Sequence, residues 1–145
     1  MNATAEKFGY PDSLVARSEH WLVLVRPVQP TLGSLVLVCT EPARRFGEIG
    51  AAAGADLAAV TDRVERALAA TFAHDKLNYL MLMMVDPDVH FHVLPRYEGP
   101  RDLGGARFED ASWPGPPDLS QPLSLTDAQH AELTARLRDG FAGVG

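Results

Sequence analysis

The stretch from residue 76 to residue 97, KLNYLMLMMVDPDVHFHVLPRY, constrains the fold more than any other part of the chain. Its first half, Leu77 to Val85, is almost continuously apolar, which predicts a central strand covered on both faces. Asp86-Pro87 is a turn signal, and Val89 to Leu94 predicts the next strand, antiparallel to the first. Pro95 is expected at the end of that strand because it has no N–H for a ladder hydrogen bond.

An antiparallel hairpin is predicted nearer the start of the chain. His20 to Val25 and Ser34 to Thr40 are rich in strand-forming residues. They flank a segment that is interrupted by Pro27, Pro30 and Gly33, which favour a turn.

Two other segments carry apolar residues at the spacing of an amphipathic helix. In the first, the apolar positions are Leu57, Val60, Val64, Leu68 and Phe72. In the second, they are Leu133, Leu137 and Phe141, and Thr126-Asp127-Ala128-Gln129 fits a capping box at its start. The order of elements is then β-β-α-β-β-α. Neighbouring strands without a crossover between them predict an α+β fold with an antiparallel sheet.

The composition indicates a single globular domain over residues 1–145. The chain is 46% hydrophobic and 22% charged, and its formal net charge of −6 disfavours binding to nucleic acid polymers. Cys39 is the only cysteine, so an intrachain disulfide and a cysteine-based zinc cluster are excluded. No apolar run is long enough to span a bilayer, and residues 1–11 lack a signal-peptide pattern, so a cytoplasmic location is expected.

Asp88, His90 and His92 are the candidate catalytic residues. Alternate side chains of a strand share a face, so these three are expected to project from one side while Phe91 and Val93 enter the core. Imidazole is a good nucleophile near neutral pH because its ordinary pKa is about 6.5. A carboxylate or carbonyl on its far ring nitrogen would fix the tautomer, and His92 would donate a hydrogen bond to a phosphate oxygen.

A metal site is the competing interpretation of the same residues. Two histidines and one carboxylate are a known ligand set for metals. Three alternate strand positions span roughly 13 Å from end to end, however, so Asp88 and His92 converge poorly on one ion.

The segment from Asp88 to Arg96, DVHFHVLPR, resembles the motif of the histidine triad (HIT) family, three alternate histidines followed by apolar residues and often Pro-Arg. The resemblance implies that the middle histidine, His90, attacks the α-phosphorus of a nucleotide ester, anhydride or phosphoramidate. A nucleotidyl-histidine then forms, and water or another acceptor resolves it. His92 corresponds to the third histidine, and Asp88 replaces the first. The implied activity is that of a nucleotide phosphohydrolase or nucleotidyl transferase without a metal or other cofactor.

The family plan also fits the order of elements over residues 15–98, which leaves residues 99–145 as a C-terminal extension. It implies an antiparallel sheet of about five strands with one long helix and a C-terminal helix. It further implies a homodimer formed through the helix and a shared sheet, and a small nucleotide or nucleotide conjugate as partner, with no nucleic acid polymer and no membrane.

The candidate substrate-binding residues are Asn78, Arg26, Ser34 and Arg96. Asn78 occupies a position where the family often has an asparagine that lines the nucleotide pocket. Arg26 falls near the family's acidic ribose-binding position, and Ser34 replaces the histidine of a Pro-Gly-His sequence. Arg96 is a candidate phosphate contact, although a regular strand is expected to place it on the face opposite the histidines.

Two further departures concern the phosphate contacts. The polar residues that usually precede the triad and contact phosphate fall on Met84 and Val85. A nucleotide-binding module that has kept the fold and lost turnover is therefore an alternative to the enzyme.

Overall fold

The strands predicted from the sequence belong to one antiparallel sheet in the computed structural model, which describes residues 2–145. The sheet consists of β1 (Leu14–Arg17), β2 (Trp21–Val25), β3 (Leu35–Cys39), β4 (Lys76–Leu80) and β5 (His90–Arg96), in the order β1-β2-β3-β5-β4. A separate hairpin is formed by β6 (Arg101–Leu103) and β7 (Ala106–Phe108). The helices are α1 (Ala3–Lys7), α2 (Ala51–Phe72) and α3 (Asp127–Val144), with a 3₁₀ turn at Phe46–Glu48. The predicted α+β fold, with five strands, a long helix and a C-terminal helix, is confirmed.

Strands β2 and β3 form the predicted hairpin, with Trp21 opposite Cys39. Every residue of both strands is buried, because both faces of the sheet are covered here. The turn between them passes close to the end of α2 at Gly33, whose φ is +89°. A Cβ at this position would lie 3.2 Å from the Phe72 ring, so glycine meets both the conformational and the steric requirement.

Helices α2 and α3 lie on one face of the sheet and enclose the larger core. Their buried apolar residues are Val60, Val64, Leu68, Phe72, Leu133, Leu137 and Phe141. These side chains share one cluster with Trp21, Val23 and Leu37 of the sheet. The capping box predicted at Thr126 is present, because Thr126 and Gln129 each accept a hydrogen bond from the other's backbone N–H.

Helix α1 covers the opposite face of the sheet. Ala5 and Phe8 pack on the apolar side chains that β2 and β3 present there, which are Leu22, Leu24, Val36 and Val38. The Asn2 side chain caps this helix by accepting a hydrogen bond from the Ala5 N–H. The sequence did not predict α1, because five residues are too few to show a helical period.

The predicted central strand from Leu77 to Val85 requires correction. The strand β4 ends at Leu80 and lies at the edge of the sheet, next to β5. Its continuation enters a loop in which Met83 has a left-handed φ of 53°. Met84 and Val85 are 84% and 80% exposed, so the continuous apolar run does not reflect burial on two faces.

Cys39 lies at the end of β3 and is fully buried. Its N–H donates to the carbonyl of Val89, which joins β3 to the start of β5. Within residues 2–145, no helix combines the length and the apolar character that crossing a membrane requires.

Candidate active site

The two histidines of β5 project from the same face of the sheet, as predicted from their spacing. His90 lies opposite Val38 and His92 opposite Val36 of β3, whereas the Phe91 side chain packs against the larger core on the other face. The imidazole rings meet edge to face with their centroids 5.2 Å apart. Only 2% of His90 and 6% of His92 is exposed, yet both line one pocket of about 400 Å³. The two rings are therefore largely buried but share one pocket.

The hydrogen bonds of His90 determine its tautomer. Its Nδ1 lies 2.7 Å from the backbone carbonyl oxygen of Asp88. A carbonyl oxygen can only accept, so Nδ1 carries the proton, and Nε2 of the neutral ring holds a free lone pair. The chain thus fixes the imidazole in the form that a nucleophile requires.

The second imidazole has the opposite tautomer. Arg26 Nε donates to His92 Nδ1 over 3.2 Å, so the proton of the neutral His92 ring lies on Nε2. Burial, followed by the charge of Arg26, lowers the pKa of His92 to about 4. At neutral pH His92 is therefore an uncharged hydrogen-bond donor beside the His90 lone pair.

Arg26 is the predicted substrate-binding residue that the structure places in the pocket. Its Nη1 donates to the carbonyl of Val28 at 2.7 Å, while its Nε is held by His92. Burial lowers the pKa of Arg26 from its ordinary value. A guanidinium nevertheless remains protonated in proteins, so Arg26 supplies positive charge at the histidine pair.

The rest of the pocket wall comes from segments that the sequence did not predict. Helix α1 provides Lys7 and Phe8, and the loop after β4 provides Leu82, Met83, Met84, Val85 and Asp86. Pro27, Val28 and Leu119 complete the wall. The Phe8 ring lies 6.1 and 5.7 Å from the centroids of His90 and His92. The only sequence signal for α1 was the capping residue Asn2, which is common in loops as well.

Asp88 is placed beside the histidines in sequence but directs its carboxylate away from them. Its Oδ2 accepts hydrogen bonds from the backbone N–H and the hydroxyl of Thr4, at 3.2 and 2.9 Å. The carbonyl of Asp88, and not its side chain, orients His90. In the part of the chain that the structure describes, no three histidine, cysteine or acidic side chains are grouped to hold a metal ion. The arrangement of Asp88, His90 and His92 thus does not support the metal interpretation.

The structure does not bring Ser34 to the pocket. Ser34 is fully buried, and its hydroxyl donates to the Thr31 carbonyl and accepts from the Thr31 N–H. It closes the turn before β3 and does not line the pocket.

The expectation that Arg96 faces away from the histidines was wrong. Every second side chain of a regular strand lies on the same face, so Arg96 shares a face with His90 and His92. The pairing with β4 is regular over this stretch, from Leu80 opposite His92 to Lys76 opposite Arg96. Arg96 is separated from His92 along the strand by roughly 13 Å. It lines a second cavity with Asn78, whose Oδ1 accepts from Arg96 Nη1 at 2.8 Å. The structure therefore brings Asn78 and Arg96 together, apart from the histidine pocket.

A buried ion pair holds Arg96 in place. Its Nε and Nη2 donate to Asp110 over 2.7 and 3.2 Å, and both side chains are almost wholly buried. Burial would raise the pKa of Asp110, but hydrogen bonds from Arg96 and the Tyr97 N–H hold that pKa below its usual value. The pair anchors the segment after β7 to the sheet.

Comparison with known proteins identifies the relationship. The sequence model of the HIT domain matches residues 8–99, which is well over half of the chain. A histidine triad protein from Bradyrhizobium japonicum is 24% identical, with a TM-score of 0.75, over 97% of this chain and 96% of that one. Another, from Marinobacter aquaeolei VT8, is also 24% identical, with a TM-score of 0.71, over 91% and 90% of the two chains.

A third structure, a histidine triad (HIT) protein from Sinorhizobium meliloti 1021, is 20% identical, with a TM-score of 0.73, over 97% of this chain and 95% of that one. At these identities the likeness establishes a shared fold. No curated protein sequence shows a significant match. Because the matched residues include the strands β1 to β5, the helix α2 and both site histidines, the chain belongs to the HIT domain family.

Proposed function

We propose that this protein is a nucleotide phosphohydrolase or nucleotidyl transferase that acts on an α-phosphate through a covalent nucleotidyl-histidine at His90. Membership of the HIT family supports the class of reaction. One observation carries the proposal: the two Nδ1 atoms are engaged by the Asp88 carbonyl and by Arg26. The ring nitrogens left for the pocket are therefore a lone pair on His90 Nε2 and an N–H on His92 Nε2.

The first step forms a bond between His90 Nε2 and the α-phosphorus, and the phosphorus–leaving-group bond breaks. The leaving group departs with the electron pair of that bond and takes a proton from solvent where its basicity requires one. The imidazole becomes a cation that still donates its Nδ1 proton to the Asp88 carbonyl. His92 and Arg26 stabilise the negative charge on the phosphoryl oxygens by a hydrogen bond and by electrostatic attraction.

The second step returns the enzyme to its starting state. The oxygen of water, or of another acceptor, attacks the phosphorus, and the phosphorus–nitrogen bond breaks. Its electron pair returns to Nε2 of His90, and the acceptor's proton leaves to the product phosphate or to solvent. The pocket walls Val28, Leu82 and Met84 supply apolar surface for the rest of the nucleotide.

The experiment compares His90→Ala with the unmodified protein on dinucleoside polyphosphates, nucleoside phosphoramidates and sulfated nucleotides. We expect kcat/KM to fall by at least about 10³-fold, because the nucleophile is lost. Intact-protein mass spectrometry of the unmodified protein should show a nucleotidyl adduct that His90→Ala lacks. His20→Ala is the matched control, since His20 lies at the opposite end of β2 from Arg26. Full activity in His90→Ala would refute the mechanism.

The second candidate is a nucleotide-binding module without turnover. It is favoured by one observation, which is that the loop beside the histidines presents the apolar side chains of Met84 and Val85. These two side chains offer no hydrogen-bond donor to a phosphate. Saturable nucleotide binding by calorimetry, together with no product and no adduct from any substrate class, would establish this function in place of the enzyme.

We also infer a homodimer formed through β4 and α2. The outer edge of β4 has no partner strand within residues 2–145, and such an edge is a template for pairing with another chain. The hydroxyl of Tyr79 on this strand is buried without a hydrogen-bond partner. Beside it, a largely apolar groove is lined by Phe46, Leu57 and Ala58 among others, and Phe46 is an exposed hydrophobic residue.

A further inference from the structure

We propose that Asp88 is a positioning residue that fixes helix α1 on the sheet so that Lys7 supplies a phosphate-binding ammonium to the histidine pocket. This inference rests on the proposed function, because it assigns a role within the same site. It explains how a chain with an aspartate at the first triad position, and with apolar residues where phosphate contacts are usual, binds an anion.

Asp88 and Thr4 are joined by three hydrogen bonds across 84 positions of sequence. The carboxylate Oδ2 accepts from the Thr4 N–H at 3.2 Å and from its hydroxyl at 2.9 Å. The Thr4 hydroxyl in turn accepts from the Asp88 N–H at 3.1 Å. Both residues are buried, so each group is satisfied by the other and not by water. Bonds to an ionised acceptor are stronger than neutral ones, which makes this contact a firm attachment.

Helix α1 depends on such attachments for its position. It contains five residues, far fewer than an isolated helix needs to be stable in water. Its other tertiary contacts include the Asn2 side chain, which donates to the Cys39 carbonyl at 2.9 Å, the apolar packing of Ala5 and Phe8, and an ion pair between Lys7 and Asp86. Thr4 precedes Lys7 by one helical turn, so the Asp88 contact also sets where the lysine lies.

Lys7 is the exchangeable cation of the pocket. Its Nζ lies 2.8 Å from Asp86 Oδ1, and its side chain is 53% exposed. Only 14% of the Asp86 side chain is exposed, so the lysine is the end of this pair that is free to turn toward a phosphate. Arg26, by contrast, is already committed to His92 and to a backbone carbonyl.

The charge of Lys7 reaches the reacting groups. Burial, then Arg26, then His90 lower the pKa of His92, and Lys7 adds a smaller effect in the same direction. Asp86 acts oppositely on the same imidazole. Lys7 and Asp86 also line the same pocket as His90 and His92, so a phosphate held by Lys7 would occupy the pocket that contains the histidine pair.

The first test measures the dissociation constant of AMP by calorimetry on the His90→Ala background, where turnover cannot intervene. We expect Lys7→Ala to weaken binding by about 10-fold and Lys7→Arg to restore it to within about 3-fold, because one charge-assisted contact is lost and regained. Lys76→Ala is the matched control and should leave AMP binding unchanged, since this exposed lysine lines the other cavity.

The second test is a double-mutant cycle on the same background. Asp88→Ala should weaken AMP binding as much as Lys7→Ala does, and the double variant should be no weaker than either single one. Thr4→Val removes the hydroxyl of the same contact from the other side and is used if Asp88→Ala fails to fold. Additive losses would overturn the proposal, because they would show that Asp88 does not act through Lys7.

Hydrogen exchange separates this proposal from the proposed function. The Thr4 amide donates to Asp88, so Asp88→Asn and Asp88→Ala should accelerate exchange across residues 4–8 while β5 stays protected. Unchanged exchange there would refute the attachment, whatever the activity. If AMP binds with the expected pattern but no adduct forms at His90, the enzymatic function fails and the role of Lys7 stands. If the unmodified protein does not bind AMP, both fail.

Discussion

At the scale of single residues, the site depends on two imidazoles that are chemically different although they are two positions apart. His90 donates through Nδ1 to a carbonyl, and His92 accepts through Nδ1 from Arg26. The difference leaves a lone pair on Nε2 of the neutral His90 ring and an N–H on Nε2 of His92. In the proposed reaction, Arg26 would therefore act by holding the His92 tautomer as well as by its charge.

Arg26→Ala should raise the pKa of His92 above its value of about 4, while burial, the larger cause, keeps it below 6.5. The measurement is an NMR titration of the imidazole resonances. Arg107→Ala is the control, because Arg107 is exposed on β7 and pairs with Asp102. A His92 pKa that does not move in Arg26→Ala would contradict the contact seen here.

The same pKa has a consequence for stability. The native His92 binds a proton only near pH 4, whereas the unfolded one does so near pH 6.5. Between these values the unfolded state holds more protons, so the free energy of unfolding falls as the pH is lowered through this window. Arg26→Ala should raise the native pKa of His92 and so reduce its difference from the unfolded value. The free energy of unfolding, measured with urea at pH 7 and pH 5, should therefore fall less between these pH values in Arg26→Ala than in the unmodified protein.

Sequence patterns predicted the orientation of some side chains of this site and missed that of others. Strand alternation sufficed to place His90 and His92 on one face, because that rule depends only on the backbone. It did not reveal that the Asp88 side chain turns toward Thr4, since a contact across 84 positions leaves no local signal. Ser34 does not line the pocket, because its hydroxyl is engaged by Thr31 within its own turn.

At the scale of elements, α2 and α3 lie very close together at Gly140. A Cβ there would collide with the Thr71 hydroxyl, which donates to the Ala67 carbonyl, and would lie 3.2 Å from that carbonyl oxygen. The two helices thus pack backbone against backbone at this point. Leu137 and Phe141 flank the contact and are fully buried in the core.

Gly140→Ala should lower the free energy of unfolding by about 1–3 kcal/mol, because the helices must separate or Thr71 must lose its hydrogen bond. Gly143→Ala is the matched control on the same helix, where a Cβ meets nothing within 4 Å. It should leave stability unchanged or raise it by up to about 1 kcal/mol, since alanine favours helix. Urea denaturation measures both, and equal effects would contradict the close packing.

Helices α2 and α3 were the most predictable elements, whereas the predicted length and burial of β4 were wrong. The apolar period of α2 and α3 persists over several turns, and the Thr126 capping box marks where α3 begins. The run from Leu77 to Val85 suggested burial, but apolar side chains at an open edge and in a pocket loop give the same local pattern as a covered strand. An apolar run by itself does not distinguish residues that pack in the protein's own core from residues at an open sheet edge or in a pocket wall.

At the scale of the whole molecule, the inferred homodimer extends the sheet across the edge of β4. Ala58→Arg places a charge in the groove beside that strand, so we expect this variant to be monomeric by light scattering on a sizing column. Ala59→Arg is the matched control, because Ala59 is exposed on the same helix but does not line the groove. The control and the unmodified protein should both show twice the mass of the chain. A monomeric unmodified protein would refute the inference.

The buried thiol of Cys39 can report local opening of the core. The thiol is enclosed where β3 meets the strand of the histidines, and burial raises its pKa, so the folded form offers almost no thiolate to an alkylating reagent. Modification therefore requires a local opening that exposes the end of β3. The labelling rate of Cys39, the only cysteine, measures how often this part of the core opens.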